Sequence, residues 1–469
     1  FLTGRPATVA AVFGDQTTHL GTDVYSAFFQ DDFQMSRKLT LNLGARWEYF
    51  TVPKETGGRK FGVFDASAGQ LVHRDTPYVT SKRSFAPRVG FAYDPTGTGK
   101  AAIRGGYGIF YNQGTVGTAR NLALNPPEAT SITYRGTTLA QPFAGQGTAA
   151  VPSLISITPE WPTSYLHSYN ANVQIEVARN LAFDAGYYGS TGRNQEIALE
   201  INQATYIPGS STATNTDSRR PFKGFGSIRV QSPIATSKYD SLQVGLTRRV
   251  SKGFSAWGFY VLSRCIDYGS SASSRPQDGT NWQAERGPCN FDARHRVVVS
   301  FLWDLPGTYT SRALGFVLAG WQLTVAAQFQ SGSPLTVLLS TDNTRTGNRL
   351  DRPDLVGDPK VANPSPAQWV NATAFAVPAL GQFGNLPRNT IIGPGFSNTD
   401  LALMKDFEIG PNRRVQFRFE VYNITNTVNF GSPALTLGAI NFGKIAQTRT
   451  IRGDAGSSRQ LQFGLKFYF

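Results

Sequence analysis

The chain has 469 residues, a net charge of +14, 12% aromatic residues and 16% charged residues. The charged fraction is low for a soluble protein, in which about 25% is usual, and no run of about 18 apolar residues exists to form a transmembrane helix. If the chain spans a membrane, it must therefore do so as a closed β-barrel, because only helices and barrels satisfy every backbone polar group in lipid.

Long β-strands are predicted along the whole chain by apolar and polar residues that alternate with period two. In residues 39–50, apolar side chains such as Leu41 and Trp47 occupy every second position, and polar ones such as Asn42 lie between them. Strands of about ten residues exceed the usual length in globular sheets and match the tilted strands of membrane barrels. The predicted strands cover residues 23–35, 39–50, 85–94, 100–112, 165–178, 181–191, 237–250, 253–266, 294–304, 317–331, 397–407, 412–424 and 459–469.

Short and long connections alternate between these strands. The short ones are residues 36–38, 95–99, 178–180, 251–252 and 410–412, and the long ones are residues 51–84, 113–164, 192–236, 267–293, 332–396 and 425–458. Outer-membrane barrels combine short periplasmic turns with long extracellular loops, whereas connections this long count against a compact soluble domain. We therefore predict an all-β fold, a transmembrane antiparallel β-barrel in the bacterial outer membrane, with residues 1–469 forming one barrel domain.

The number of predicted strands is odd, although single-chain bacterial barrels use even numbers. Either residues 6–14 supply a fourteenth strand or further strands precede Phe1. We expect both, so that the 469 residues form part of a larger barrel.

Several charged residues alternate with the apolar stripes. An Arg that faces lipid at the membrane midplane costs about 2–4 kcal/mol, so we predict that these side chains face the lumen. There they would pair with one another or with a plug, and they would give a cation-rich wall that favours anionic solutes. The predicted lumen-facing charges are Arg46, Glu48, Arg88, Arg104, Arg418 and Glu420.

Cys265 and Cys289 flank one predicted extracellular loop. The compartment is oxidising, so we predict a disulfide between them. Two cysteines argue against a Cys-rich metal site.

No catalytic or metal-binding motif is present in the sequence. It contains no G-x-S-x-G, H-E-x-x-H or C-x-x-C pattern, and we predict no enzyme activity, catalytic residue, metal site or cofactor. The scattered Lys and Arg residues do not indicate a nucleic-acid partner. His295 is predicted to anchor a loop through Asp292 rather than to bind a metal. The Asp- and Asn-rich residues 341–354 lack the spacing of an EF-type calcium loop, so we interpret them as a solvated loop.

The C-terminal strand carries an apolar stripe that ends in an aromatic residue. Leu465, Phe467 and Phe469 alternate with polar or small residues. This arrangement resembles the assembly signal by which the insertion machinery recognises outer-membrane barrels. The predicted partner of these three residues is therefore the barrel assembly machinery.

A series of segments, in order along nearly the whole chain, resembles the TonB-dependent receptor superfamily and in particular its Oar-like branch. The segments are residues 25–33 (YSAFFQDDF), 39–49 (LTLNLGARWEY), 85–93 (FAPRVGFAY), 185–192 (AGYYGSTG), 239–253, 291–296 (FDARHR), 320–334, 384–400, 417–430 and 459–469. The resemblance implies a plugged barrel of about 22 strands, of which this chain would be the later portion. It also implies that the plug, the TonB-contacting segment and an N-terminal carboxypeptidase-regulatory-like domain lie outside these residues.

Three functions are consistent with these patterns. The resemblance implies an outer-membrane TonB-dependent transporter or receptor that takes up a ligand, with outer-membrane lipid, lipopolysaccharide and the TonB energy complex as further partners. The first alternative is a passive porin-like or secretion-linked channel. The second is a structural or adhesive surface barrel, and the sequence identifies no ligand for any of the three.

Overall fold

A computed structural model describes residues 4–114, 116–307, 311–411, 413–449 and 458–469. Its main feature is an antiparallel sheet in which thirteen strands pair in chain order. The strands are β1 Val24–Ser36, β2 Leu39–Phe50, β3 Ser84–Tyr93, β4 Ala101–Asn112, β5 Ser164–Ala178, β6 Leu181–Glu200, β7 Ile228–Ser251, β8 Phe254–Asp267, β9 His295–Asp304, β10 Trp321–Gln330, β11 Phe396–Gly410, β12 Arg413–Tyr422 and β13 Gln460–Tyr468. We call this sheet the wall. The predicted all-β antiparallel architecture is confirmed.

Each predicted strand overlaps one strand of the wall. Residue 412, at the start of one predicted strand, and residues 450–457, in the last predicted loop, lie outside the described residues. Among the described strands, β1 and β13 form the two ends of the pairing path and are not paired with each other.

Shorter elements lie in the connections. The helices are α1 Val116–Leu122 and α2 Arg312–Leu318, with 3₁₀ turns at Asp217–Arg219, Trp282–Glu285 and Ala372–Ala374. The short strands are Thr8–Phe13, Leu20–Gly21, Lys54–Glu55, Phe61–Asp65, Gln70–Arg74, Val79–Thr80, Thr130–Arg135, Gln146–Ala149, Leu154–Ile157, Glu160–Trp161, Gly287–Pro288, Pro334–Leu335, Leu338–Leu339, Asp354–Leu355, Phe375–Ala376, Ile391–Ile392 and Thr436–Leu437. Within the described part of the chain, no helix has both the length and the hydropathy needed to cross a membrane.

The register of the wall separates two faces. Residues directly opposite each other in an antiparallel pair lie on the same face of the sheet, and Trp47 opposes Phe85 while Leu403 opposes Phe419. Following the pairs from strand to strand places these residues on one face, which we call the apolar face. The other face, which we call the polar face, carries positions such as Asp400.

The prediction that residues 6–14 add a strand to the wall is wrong. Thr8–Phe13 pairs with Thr130–Arg135, which pairs in turn with Gln146–Ala149, and the three strands form a separate sheet. Phe13 packs edge-on against Tyr134, with the ring centroids 6.2 Å apart. This segment therefore pairs and packs with residues of a long connection and not with the wall.

Two strands continue far beyond their predicted ends. The predicted segments 181–191 and 237–250 become β6 with 20 residues and β7 with 24 residues. At about 3.3 Å per residue, such strands are longer than a membrane core of about 30 Å requires. Register shifts between Gly192 and Ile197 interrupt the alternation, which explains why period two alone ends the strand too early.

The strand predicted over residues 317–331 begins later, at Trp321, because a helix precedes it. Helix α2 covers Arg312–Leu318, and Gly320 turns the chain into the strand with φ of +73°. This conformation favours glycine. The indole Nε1 of Trp321 donates a 2.9 Å hydrogen bond to the carbonyl oxygen of Val317. This bond holds the first residue of the strand against the last turn of the helix.

The turn between β3 and β4 is built around Asp94. Its carboxylate accepts hydrogen bonds from the backbone amides of Thr96, Gly97 and Gly99 and from the Thr96 hydroxyl. Hydrogen bonds from Thr96 and Gly99 hold the pKa of Asp94 below its usual value. The loop is thus fixed by one side chain that satisfies several backbone donors.

The two faces predict opposite responses to a new charge in β10. Val325 lies on the apolar face between Phe301 and Leu401, whereas Ala326 lies on the polar face between Ser300 and Asp400. We expect Val325→Arg to destabilise the folded protein by about 2–4 kcal/mol, because an Arg would face lipid, and Ala326→Arg to be tolerated.

Heat-modified gel mobility of the two variants in outer membranes measures the folded fraction. Equal folded amounts of Val325→Arg and Ala326→Arg would contradict the assignment of the two faces.

Candidate functional site

The long connections at one end of the wall are folded and packed against one another. We define the outer-loop assembly as residues 51–83, 113–163, 201–227, 268–294, 331–395 and 423–459, where described. Three buried apolar clusters lie in or beside it. They are centred on Phe61, Leu122 and Trp161, on Val337, Phe375 and Leu386, and on Phe64, Leu154 and Ile228.

The apolar clusters join connections that are distant in sequence. In the first cluster, Phe61 precedes β3 and Leu122 follows β4. In the second, Val337 and Phe375 lie between β10 and β11, and the half-buried Phe442 comes from the connection between β12 and β13. Burial of apolar surface therefore stabilises the loops as a unit.

A buried ion pair connects two parts of the outer-loop assembly. The Nη1 and Nη2 atoms of Arg352 donate to the two carboxylate oxygens of Glu285 at 2.9 and 2.7 Å. The two side chains are only 4% and 5% exposed. Paired donors of this kind match the fork of a guanidinium to a carboxylate, and they fix residues 331–395 against residues 268–294.

Arg388 attaches the same connections to the wall. Its guanidinium pairs with the carboxylate of Asp267, the last residue of β8. Arg388 also donates to the backbone carbonyl oxygens of Glu285 at 2.9 Å and Gly287 at 3.2 Å. One largely covered cation, 11% exposed, therefore satisfies acceptors from a strand end and from a loop.

A disulfide closes the same region. Cys265 and Cys289 are bonded, with their Cα atoms 5.4 Å apart, and the Cys289 amide donates to the Cys265 carbonyl oxygen at 3.0 Å. Asp292 accepts a 2.9 Å hydrogen bond from the Cys265 amide, and burial raises the pKa of the Asp292 carboxyl.

The predicted contact between His295 and Asp292 is replaced by another. His295 Nδ1 lies 2.8 Å from the hydroxyl of Tyr260 instead, because the register of β8 and β9 places His295 opposite Leu262, two residues from Tyr260 on the apolar face.

The interpretation of residues 341–354 as a solvated loop is wrong. Asn343, Thr344 and Asp351 are buried. The Thr344 amide donates to an Asp351 carboxylate oxygen at 2.8 Å, and Asn343 donates to the carbonyl oxygen of Ala379 at 3.2 Å. Burial raises the pKa of Asp351. Short polar side chains here satisfy buried backbone groups, a role that composition does not reveal.

The six predicted lumen-facing charges all lie on the polar face, as the strand register shows. Arg46 pairs with Glu48 at 2.8 Å and Arg418 with Glu420 at 2.6 Å. The other two form no ion pair among the described residues. Arg104 Nη1 donates to Gln174 at 3.1 Å, and the guanidinium of Arg88 lies 4.6 Å from the ring centre of Phe110.

A cavity of about 490 Å³ lies where the polar face meets the outer-loop assembly. Wall residues such as Asn112, Tyr239 and Asp267 line it together with Trp161 and Ser271 from the connections. The lining offers hydroxyl, amide, indole and carboxylate groups, so it can bind a polar ligand by hydrogen bonds. In the described ranges, no group of three His, Cys, Asp or Glu side chains could hold a metal ion.

The predicted assembly signal occupies an open edge of the wall. Leu465 and Phe467 lie in β13 on the apolar face, opposite Phe417 and Val415. Phe467 stacks on Phe469, with the ring centroids 5.8 Å apart. All three predicted residues are exposed in the described structure, Phe469 to 95%.

Residues 1–462 match the family model described as an outer membrane beta barrel domain. The chain belongs to this family. Its location is therefore the bacterial outer membrane, as predicted. Its sequence matches none of the curated proteins with which it was compared.

Solved structures resemble this chain at low sequence identity. The outer membrane transporter YddB from Escherichia coli aligns with a TM-score of 0.51 and 11% identity over 95% of this chain and 45% of that one. The siderophore receptor PiuA from Acinetobacter baumannii aligns with a TM-score of 0.48 and 10% identity, over 96% of this chain and 43% of its own. The chain thus spans less than half the length of these proteins.

The buried ion pair predicts how the outer-loop assembly responds to mutation. Arg352→Leu should destabilise the outer-loop assembly by about 3–5 kcal/mol, because it leaves the Glu285 carboxylate buried without its partner. Chymotrypsin should then cleave residues 268–294 and 331–395 faster, while the wall keeps its heat-modified gel mobility.

Two variants act as controls for this experiment. Arg286→Gln changes an exposed cation in the same connection and should leave the cleavage rate unchanged. The double variant Glu285→Leu/Arg352→Leu should recover part of the resistance, since no buried charge remains. Cleavage of Arg352→Leu at the rate of Arg286→Gln would show that the pair does not hold the assembly.

Proposed function

We propose that the chain forms the wall and the ligand-binding outer loops of a TonB-dependent outer-membrane receptor of the Oar-like branch. The cavity between the polar face and the outer-loop assembly is the observation that carries this proposal. A ligand that binds under folded loops reaches the lumen side of the wall directly. The fold shared with an outer membrane transporter supports the same function.

The polar face would surround a plug supplied by the rest of the protein. In a complete receptor of about 22 strands the lumen is occupied by a plug, and ion pairs along the wall would be available to contact it. Arg88 and Arg104 are the cations of this face best suited to bind acidic plug groups or anionic solutes, since neither has an acidic partner among the described residues. The TonB energy complex would then act on the plug to release the ligand inward.

The proposed orientation places the short turns in the periplasm and the outer-loop assembly outside the cell. Lipid would contact the apolar face, and lipopolysaccharide would surround its outer end. Leu465, Phe467 and Phe469 would be read by the barrel assembly machinery as the last strand enters the membrane. Pairing of every wall edge is required in lipid, since an open edge leaves backbone donors unsatisfied.

Conductance and TonB binding together test this function. The full-length natural protein, reconstituted in planar bilayers in KCl solution, should show no steady conductance, because the plug closes the lumen. The purified periplasmic domain of TonB, immobilised on a resin, should retain the same protein.

The two alternatives give different results in the same experiment. A passive channel would conduct steadily and would not be retained by TonB. A structural or adhesive barrel would neither conduct nor be retained. Either outcome would reject energy-coupled uptake.

A further inference from the structure

Helix α2 exposes an apolar surface at the short-turn end of the wall. It connects β9 to β10, and four of its seven residues are large apolar side chains that are 46–57% exposed. They are Leu314, Phe316, Val317 and Leu318. In water so short a helix would be marginal, and about half of each of these side chains would be left hydrated, so a nonaqueous neighbour explains why an apolar surface lies here.

The helix lies against the apolar face of the wall. The ring of Phe316 is 5.2 Å from the ring of Phe407. Phe407 opposes Val415 in the register of β11 and β12, two positions along the strand from Lys405, which opposes Phe417. The helix is therefore on the side of the sheet that carries Leu403 and Phe419, and not on the polar face.

Two side chains of the wall bind the C-terminal end of α2. Trp321 Nε1 donates to the Val317 carbonyl oxygen at 2.9 Å, and Lys405 Nζ donates to the Ala319 carbonyl oxygen. The last carbonyl groups of a helix lack partners within the helix and carry a partial negative charge, so an indole and an ammonium group are well-matched caps.

Without its contact to α2, Lys405 would be in an unfavourable position. It lies on the apolar face, where a charged side chain facing lipid is costly, and yet it is only 4% exposed. Its ammonium group is 4.9 Å from the ring centre of Phe407 and 5.9 Å from that of Trp321. The helix end and the two aromatic rings thus cover the charge, which gives α2 a specific docking point on the wall.

We propose that α2 is an interfacial helix whose exposed apolar side chains insert into the phospholipid leaflet around the short-turn end of the barrel. Its apolar surface continues the apolar face of the wall, and Trp and Lys are typical anchors at the membrane interface. This inference rests on the proposed contact between the apolar face and lipid. The exposed side chains of α2 would be covered by the acyl-chain and glycerol region of the bilayer.

Spin-label accessibility tests the proposal in the full-length protein. A nitroxide is attached at Val317→Cys, and the protein is reconstituted in vesicles of phosphatidylethanolamine and phosphatidylglycerol. The disulfide leaves Cys265 and Cys289 unreactive toward the label. We expect the ratio of collisions with oxygen to collisions with a water-soluble nickel chelate to be several-fold higher at 317 than in an aqueous turn.

Two matched positions define the scale of this measurement. Arg37→Cys reports the aqueous turn between β1 and β2 at the same end of the wall, and Val299→Cys reports the apolar face within β9. A ratio at 317 equal to that at 37, with a lipid-like ratio at 299, would overturn the interfacial helix alone. An aqueous ratio at 299 would instead overturn the lipid contact of the wall, and with it the proposed function.

Shielding of position 317 from both reagents would indicate a protein partner and would also overturn the lipid assignment. A further variant tests the docking point of α2 on the wall. Lys405→Met should increase the mobility of the label at 317, because the Ala319 carbonyl loses its donor. Lys466→Met, which changes a cation on the polar face of β13, should leave that mobility unchanged.

Discussion

The requirement that every backbone donor and acceptor be paired inside a lipid bilayer governs this structure. Antiparallel pairing from β1 to β13 satisfies these groups between neighbouring strands. Because successive side chains then alternate between two faces, the sequence must be apolar at one parity and free to be polar at the other. The six predicted charges of the polar face lie where this alternation allows them.

The outer-loop assembly is not subject to that requirement and is stabilised differently. Its three apolar clusters are small, and buried polar groups join the connections between them. Arg352 binds Glu285 in another connection, and Arg388 binds acceptors of a connection and of β8. Asn343 and Asp351 satisfy backbone groups. Such networks specify one arrangement of long loops because each unpaired member would carry a desolvation cost. A binding surface that is already ordered loses less entropy when it binds a ligand.

The wall was predictable because the pattern that produces it, alternation of apolar and polar residues, lies within the sequence of each strand. Period two in residues 39–50 or 321–330 depends only on which face each residue occupies, and the alternation of short and long connections fixes the pairing order. Features that depend on distant contacts were not predictable. The extension of β6 and β7 relies on Leu154–Ile157 pairing with β7, and the burial of residues 341–354 relies on backbone groups elsewhere.

Two further errors have the same origin. Residues 8–13 do form a strand, but its partner is Thr130–Arg135 and not the wall. Nothing in the segment itself distinguishes these two partners. The beginning of β10 was placed too early because residues 317–320 are apolar or small, which suits either a strand or a helix end. The helix end is stabilised by side-chain donors of Trp321 and Lys405, which lie outside residues 317–320. Of the candidate site, the charges of the polar face and the cysteine pair could be named from the sequence, whereas the cavity and its lining could not.

Hydrogen exchange of the folded protein in lipid nanodiscs tests most directly whether the long connections form one ordered assembly on the wall. Backbone amides between residues 334 and 392 that are bonded in the structure, such as those of Leu339 and Thr344, should exchange on the slow timescale of the wall amides around Val325. Exchange throughout this segment as rapid as that of the exposed turn at residues 95–99 would show that the loops are not held together, and would contradict the account.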